Sequence, residues 1–274
     1  MSRTPEEQAV IEQFARQYPL GETAIMRKIE RAVCGCEYGG TSWTTRPEAQ
    51  KIGGLLALGP SQRLLDLGAG SGWPGLYLAT MTGCDVVLVD VPLAGLRIAA
   101  DRAATDHLSA RCSVVVADGA ALPFQSGCFD AISHSDVLCC LTDKFAVLQD
   151  CRRVTRTGGR MVFTVISIAH DLSAADHDRA IKFEPPFVES MTGYPTLLHE
   201  AGWQITDCTD ISAEYAKSVG SQLYAEEAHA DELSELLGEA ELSERLTRRR
   251  GTMQAIENRT LRREMFTAVA CTVS

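Results

Sequence analysis

The stretch "LLDLGAGSGWPG", Leu64–Gly75, starts as a buried strand and breaks into glycines where a helix is due. In a parallel sheet that turn lies at the carboxyl edge, where the unsatisfied N–H groups of the following helix face a ligand crevice. Gly68, Gly70 and Gly72 let a ligand approach the main chain where Cβ atoms would collide. Gly70, Gly72 and Gly75 also satisfy G-x-G-x-x-G, a dinucleotide signature. That match begins late after the strand, and Pro74 suits the first turn of a helix, which places Gly75 inside it.

Outward from the loop, strand and helix alternate through residue 168: "RLLDLG", a helix over 73–82, "DVVLVD", a helix over 93–108, "CSVVVAD", "FDAISHS", a helix over 143–156 and "RMVFTVIS". Apolar strands separated by helix-length segments predict an α/β, doubly wound, Rossmann-like sheet that is mostly parallel and covered on both faces. Upstream, residues 6–18 and 22–33 carry helical spacing. Downstream, "AHDLSAADHDRAIKFEPPF" reads as a polar insertion, followed by a short helix over 194–201 and the strand "WQITDCTD". Helix formers then fill 212–262, with interruptions expected near Gly238 and Gly251, before an apolar closing strand "MFTAVACTV". Three regions follow: N-terminal helices with a candidate lid (1–47), a ligand-binding core (48–167), and cap insertions with the closing strands of the sheet (168–274).

With 274 residues, 45% of them hydrophobic, the chain can bury one large core and an appendage. A formal charge of −10 argues against a broad footprint for nucleic acid or an anionic membrane. The ten cysteines are scattered through apparent core elements, as free thiols of a reducing compartment are. Cys34 and Cys36 form C-x-C without a second pair at finger spacing, so no metal is expected. The N-terminus "MSRTPEEQAVIEQF" lacks a signal pattern, and no stretch reaches the ~18 apolar residues of a spanning helix. The expectation is a cytoplasmic protein.

Two acids extend the loop into a nucleoside site. Asp90 ends the second strand, 22 positions beyond Gly68, and can accept hydrogen bonds from both hydroxyls of a ribose. Asp118 ends the third strand and offers an acceptor for the exocyclic amine of adenine. Either acid also suits a plain capping role. Asp66, inside the first strand, is placed to brace the loop amides or to meet a ligand's amino group.

As a block these residues resemble the class I S-adenosylmethionine-dependent methyltransferases of the small-molecule type. "LLDLGAGSGWPGLYLA" is similar to their first motif, Asp90 in "VLVDVP" to the acid that follows, "VVADGAALPFQSGCFDAI" to the adenine region, and "LQDCRRVTRTGGRMVF" to the fifth strand and its approach. The likeness covers residues 48–167. It implies a seven-stranded sheet whose last strand is antiparallel, with helical cap insertions, and S-adenosyl-L-methionine as cofactor. It also implies that Gly68, Ala69, Gly70 and Gly72 meet the amino-acid end of that cofactor, Asp90 its ribose and Asp118 its adenine. Val91, Gly119 and Ala120 would line the ring, with Asp66, Trp73, His134 and Ser135 completing the site. Many small-molecule relatives carry D-x-x-x-H after the fourth strand, whereas this chain has Cys140 where that histidine falls.

The sulfonium is already electrophilic, so catalysis rests on alignment and exclusion of water, with a base added for an acidic acceptor. His134 is the residue expected to be that base, since its unperturbed pKa lies near neutrality at a strand end. Tyr38 and Trp43, beside Gly39 and Gly40, are expected to contact the acceptor from a small lid. His170, His177 and Tyr215 lie in the insertion or cap, with no role beyond ordinary packing or solvation expected. The resulting function is methyl transfer to a small metabolite, with no nucleic-acid or membrane partner and the oligomeric state open. The alternatives are a nicotinamide-dependent oxidoreductase and a noncatalytic methyltransferase-like binding protein.

Overall fold

The computed structural model describes residues 3–38, 41–169, 171–183, 185–190 and 192–271. Seven strands form one sheet: β1 (Arg63–Leu67), β2 (Asp85–Asp90), β3 (Cys112–Val116), β4 (Phe129–Ser135), β5 (Thr155–Ile168), β6 (Trp203–Asp210) and β7 (Leu261–Ala270). Their order is β3-β2-β1-β4-β5-β7-β6. β1 pairs in parallel with both β2 and β4, whereas β7 runs antiparallel between β5 and β6. The chain leaves β1 toward β3 and then returns to its other side as β4. That reversal opens a crevice at the carboxyl ends of β1 and β4, where α/β sheets bind ligands.

Period-two alternation explains why the central strands β1, β2, β4 and β5 are buried on both faces, while the edge strand β3 is largely exposed. Leu65, Val87, Ile132 and Phe163 join the core on one face, and their neighbours Leu64, Val86, Ala131 and Val162 join the core on the other. Each fully buried large aliphatic side chain contributes about 1.5–3 kcal/mol relative to exposure.

Around this sheet lie α1 (Pro5–Gly21), α2 (Ala24–Cys34), α3 (Arg46–Leu56), α4 (Gly75–Thr82), α5 (Leu93–Thr105), α6 (Lys144–Val154), α7 (Ala174–Ile181) and α8 (Tyr194–Glu200). Three more helices, α9 (Ser212–Ala228), α10 (Ala230–Leu237) and α11 (Glu239–Glu257), connect β6 to β7. Capping boxes start two of the N-terminal helices, Thr4 with Glu7 at α1 and Thr45 with Glu48 at α3. Ile25 and Ile29 of α2 pack with Leu233 of α10 and Leu242 of α11, so both ends of the chain build one helical layer.

Local differences from the sequence pattern have identifiable causes. β5 begins at Thr155, ahead of the expected Arg160, because Phe129 pairs with Thr155 before the register shifts and Ala131 pairs with Arg160. Gly238, at φ +86°, separates α10 from α11 as expected. The interruption expected at Gly251 is absent: this glycine lies within α11, where a Cβ atom would sit 2.1 Å from Cδ2 of Phe183. It is a packing notch. The ten cysteines are free thiols, and no helix among the described residues is long and apolar enough to cross a membrane.

Gly95 sets how closely α5 approaches the glycine loop. A Cβ atom there would lie 2.8 Å from the Gly70 carbonyl carbon and 2.8 Å from Cδ2 of Tyr18. Backbone cannot step aside cheaply, so Gly95→Ala is expected to destabilise the fold by about 1–3 kcal/mol despite alanine's better helix propensity. Urea denaturation measures this, and an unchanged or raised midpoint would contradict the packing argument.

Candidate active site

The glycine loop is held in place by main chain and by two carboxylates, the buried Asp66 and the half-buried Asp90. Gly68, Gly70 and Gly72 adopt φ of +67°, +49° and +101°, which side-chain-bearing residues rarely adopt. The amides of Gly68 and Ala69 donate to the Val89 carbonyl at 2.7 and 3.0 Å. Asp66 accepts from the Gly75 amide at 3.0 Å and from the Ser133 hydroxyl at 2.7 Å. Burial pushes its carboxyl up to about 7. Both of its oxygens are thereby committed to bracing β1, β4 and the start of α4.

Asp90 accepts from the amides of Gly70 and Val91, each at 2.7 Å, and from the Tyr18 hydroxyl at 3.2 Å. Burial raises its pKa, and the two amides oppose that shift. Tyr18 is wedged against the loop, since Cβ atoms at Gly70 and Gly95 would each come within 3 Å of its ring. At the third strand, Asp118 accepts from the Ala120 amide at 3.0 Å and lies 3.5 Å from Arg3, with about half of its side chain exposed. Both acids present acceptor oxygens at the strand ends and also serve local turns.

A cavity of about 770 Å³ runs from this loop toward the cap. Its wall includes Gly68, Ala69, Gly70, Asp90 and Val91 on one side and Asp118, Gly119 and Ala120 beyond them. Asp66, Trp73, Ser135 and Trp43 also contribute. The hydroxyls of Ser71 and Ser135 are buried at this wall without a protein partner, an arrangement suited to a ligand rich in polar atoms. The residues therefore fit an adenosyl amino acid: a glycine cradle, two strand-end carboxylates and two unpartnered hydroxyls.

Three expected residues do not line the cavity. Gly72 makes room for packing, since a Cβ atom there would lie 2.6 Å from Cδ1 of Leu76 and 3.3 Å from Cβ of Ala99. Tyr38 packs behind Trp73, with ring centroids 5.1 Å apart and the Arg102 guanidinium 5.2 Å from its own. Burial pushes its hydroxyl up to about 12. The third is His134, and here the base assignment is corrected. Strand alternation turns its ring away from the cavity into the core, fully buried and stacked on Phe163 at 4.5 Å. Burial lowers its pKa to about 3, and neither ring nitrogen has a protein partner. It is a neutral core residue.

Trp43 does line the cavity, fixed by an edge contact to Tyr215 at 5.2 Å and by the Arg249 guanidinium 4.8 Å from its ring. The neighbouring Thr44 carbonyl accepts from the Trp73 indole at 2.8 Å. Gly39 and Gly40, the expected hinge, lie outside the described residues, as does His170. His177 pairs with Glu189 at 2.8 Å.

Two sets of wall residues went unrecognised in the sequence. One face of α1 covers the cavity through Glu7, Val10, Ile11, Phe14 and Tyr18. Its three- and four-residue spacing was readable, but nothing in the pattern said which surface it covers. Glu7 bonds the Thr142 hydroxyl, and Arg3 and Tyr18 reach Asp118 and Asp90, so α1 is tied across the opening. The second set follows β4: Asp136, Cys139 and Cys140. Asp136 has φ +56° and accepts from Nε of the fully buried Arg263 at 2.9 and 3.1 Å. Arg263 also donates to Glu48 at 2.7 Å and to the hydroxyls of Thr44 and Thr164.

A glycine-cradled cavity at the switch point of a seven-stranded sheet with an antiparallel β7 is a ligand site of the doubly wound α/β kind. Residues 65–163 match the family model "Methyltransferase domain". The core of the chain thus carries a methyltransferase domain. The chain is 29% identical over 163 residues to "Methyltransferase GfsG" of Streptomyces halstedii, covering 58% of this chain and 59% of that protein. It is 29% identical over 166 residues to the "27-O-demethylrifamycin SV methyltransferase" of Amycolatopsis mediterranei, covering 59% of this chain and 61% of the relative. The matches thus span about three-fifths of these relatives' length. Over the whole chain, the "[4+2]-Cyclase SpnF" structure superposes with TM-score 0.76 at 19% identity, covering 100% of this chain and 99% of that one. A fold can host more than one chemistry, and the site decides which.

The buried His134 has a direct pH signature. Its folded pKa of about 3 lies below the unfolded value of about 6.5, so it contributes stability above pH ~6.5 that is lost as pH falls toward ~3. Nitrogen chemical shifts are expected to show its imidazole neutral at pH 4.5, and His134→Phe is expected to leave S-adenosylhomocysteine affinity within about twofold. A titration midpoint near 6.5 in the folded protein would contradict the core placement.

Proposed function

We propose that the protein transfers a methyl group from S-adenosylmethionine to a small, uncharged and largely apolar acceptor. The observation that carries this reading is one continuous cavity joining the glycine cradle and its two acids to the apolar wall formed by Trp43, Phe14, Ile11 and Ile166. Such an enclosure suits a compact acceptor rather than a polymer. Among the described lining residues Arg3 is the one cation, and it faces Asp118, so a phosphate or diphosphate group on the acceptor would lack a partner.

In this reading the cofactor supplies an electrophilic methyl group. The chain's own residues hold and orient it: the loop main chain at the amino-acid end, Asp90 at the ribose, and Asp118 at the adenine amine. Cover by α1 and Trp43 keeps water from the reacting atoms, and alignment carries the rate. The nicotinamide alternative loses support because Gly75 is the first residue of α4 and a Cβ atom there would meet Oδ2 of Asp66 at 2.5 Å. That glycine makes room for a carboxylate of the protein, not for a pyrophosphate.

Calorimetry is expected to detect binding of S-adenosylmethionine and S-adenosylhomocysteine and none of NAD. Asp90→Asn is expected to weaken S-adenosylhomocysteine binding by about 1–3 kcal/mol, because a charge-assisted acceptor is lost. With methyl-labelled cofactor, label is expected to pass to uncharged hydroxyl- or amine-bearing metabolites of macrolactone or polyphenol size. Binding of NAD in place of the adenosyl ligands, or transfer to intact RNA or protein alone, would contradict the proposal.

A further inference from the structure

Two acids and one arginine are buried together beneath the cavity wall. Arg263 from β7 is fully buried, Glu48 and Asp136 keep only 9% and 8% of their side chains exposed, and each carboxylate contacts the guanidinium within 3 Å. The desolvated guanidinium stays protonated because the two carboxylates push its pKa further up. The formal sum is two negative charges and one positive, a net −1 fixed in a region of low dielectric. The remaining donors of Arg263 go to the hydroxyls of Thr44 and Thr164, and no second cation among the described residues contacts this triad.

This charge lies at one particular place on the wall. Asp136 lines the cavity directly after β4, in a left-handed backbone conformation held by its amide's bond to the Thr164 carbonyl at 2.9 Å. The next residue, Val137, touches the glycine loop, since a Cβ atom at Gly68 would lie 2.4 Å from its Cγ2. Asp136 therefore flanks the amino-acid end of the cradle, well away from Asp90 and Asp118 at the ends of β2 and β3. The two forms of the cofactor before and after transfer differ at that end by one positive charge, the sulfonium against the neutral thioether.

We propose that the Glu48–Arg263–Asp136 triad is a charge-selective element of the site, holding the sulfonium form more tightly than the thioether product. It rests on the reading of the cavity as a methyl-donor site. A rigid net charge in low dielectric acts on a ligand cation without reorganising, and a neutral sulfur gains nothing from it. The same difference favours release of the product once the methyl group has left. Arg263 is a positioning residue here: without it, two carboxylates could not share this buried space in charged form.

The test is a comparison of two affinities in three proteins. Calorimetry measures binding of S-adenosylmethionine and of S-adenosylhomocysteine to the wild type, to Asp136→Asn and to Glu48→Gln. Each variant changes the triad from −1 to neutral, and Glu48→Gln leaves the Asp136–Arg263 pair intact should Asp136→Asn fold poorly. Affinity for the sulfonium is expected to fall about three- to tenfold in both, with affinity for the thioether changed less than twofold. A merely structural role would weaken both ligands alike, and that result, or no change in either, overturns the inference. A wild type that binds neither adenosyl ligand would instead overturn the methyl-donor reading, and the inference with it.

Discussion

The guanidinium of Arg263 is the constraint around which the site is assembled. A fully buried arginine is tolerated only when its charge and donors are met, and the partners come from four places along the chain. Asp136 follows β4, Glu48 lies on α3, Thr44 precedes that helix, and Thr164 lies on β5. Insertion of β7 between β5 and β6 brings the guanidinium to them. The cavity wall at Asp136 and the strap that carries Trp43 are thus completed by the last strand of the sheet. Glu48 does double service, since its other oxygen closes the capping box with Thr45.

The cradle obeys a related rule. Its glycines take left-handed backbone conformations, and carboxylates beneath them bind the amides that such a loop leaves unpaired. Asp66 accepts from the Gly75 amide with one oxygen and from the Ser133 hydroxyl with the other, whereas Asp90 reaches both the loop and Tyr18 of the covering helix. α1 is therefore tied to the same strand-end acids that the ligand is proposed to use. The Arg3–Asp118 contact is half-exposed, and such pairs contribute little. Its exchange for a ligand contact costs little.

Much of this was legible in the sequence. Uninterrupted apolar strands, each followed by a helix-length segment, specified the parallel sheet, and the glycines after Leu67 placed the crevice. Asp90, Asp118, Ser135 and Trp43 reached the cavity wall. What failed did so for want of tertiary direction. The strand end and the pKa of a free imidazole point to His134 as a base, yet its parity on β4 turns it toward Phe163. Tyr38 stands beside the Gly39–Gly40 pair in a stretch that reads as a lid, yet it stacks behind Trp73. Asp136 and Arg263 are 127 residues apart, and no local pattern announces that one will pair with the other. The same holds for α1, whose apolar face was visible but whose target was not.

The central claim is that this cavity holds an adenosyl methyl donor in one orientation. A crystal structure of the protein with S-adenosylhomocysteine tests it most directly. The account predicts the amino-acid end of the ligand against Gly68–Gly70, its ribose hydroxyls on Asp90, its adenine beside Asp118 and Gly119, and its sulfur on the side facing Asp136. Ligand density outside this cavity, or within it with the adenine beside Asp136 and the amino-acid end at Asp118, would contradict the account.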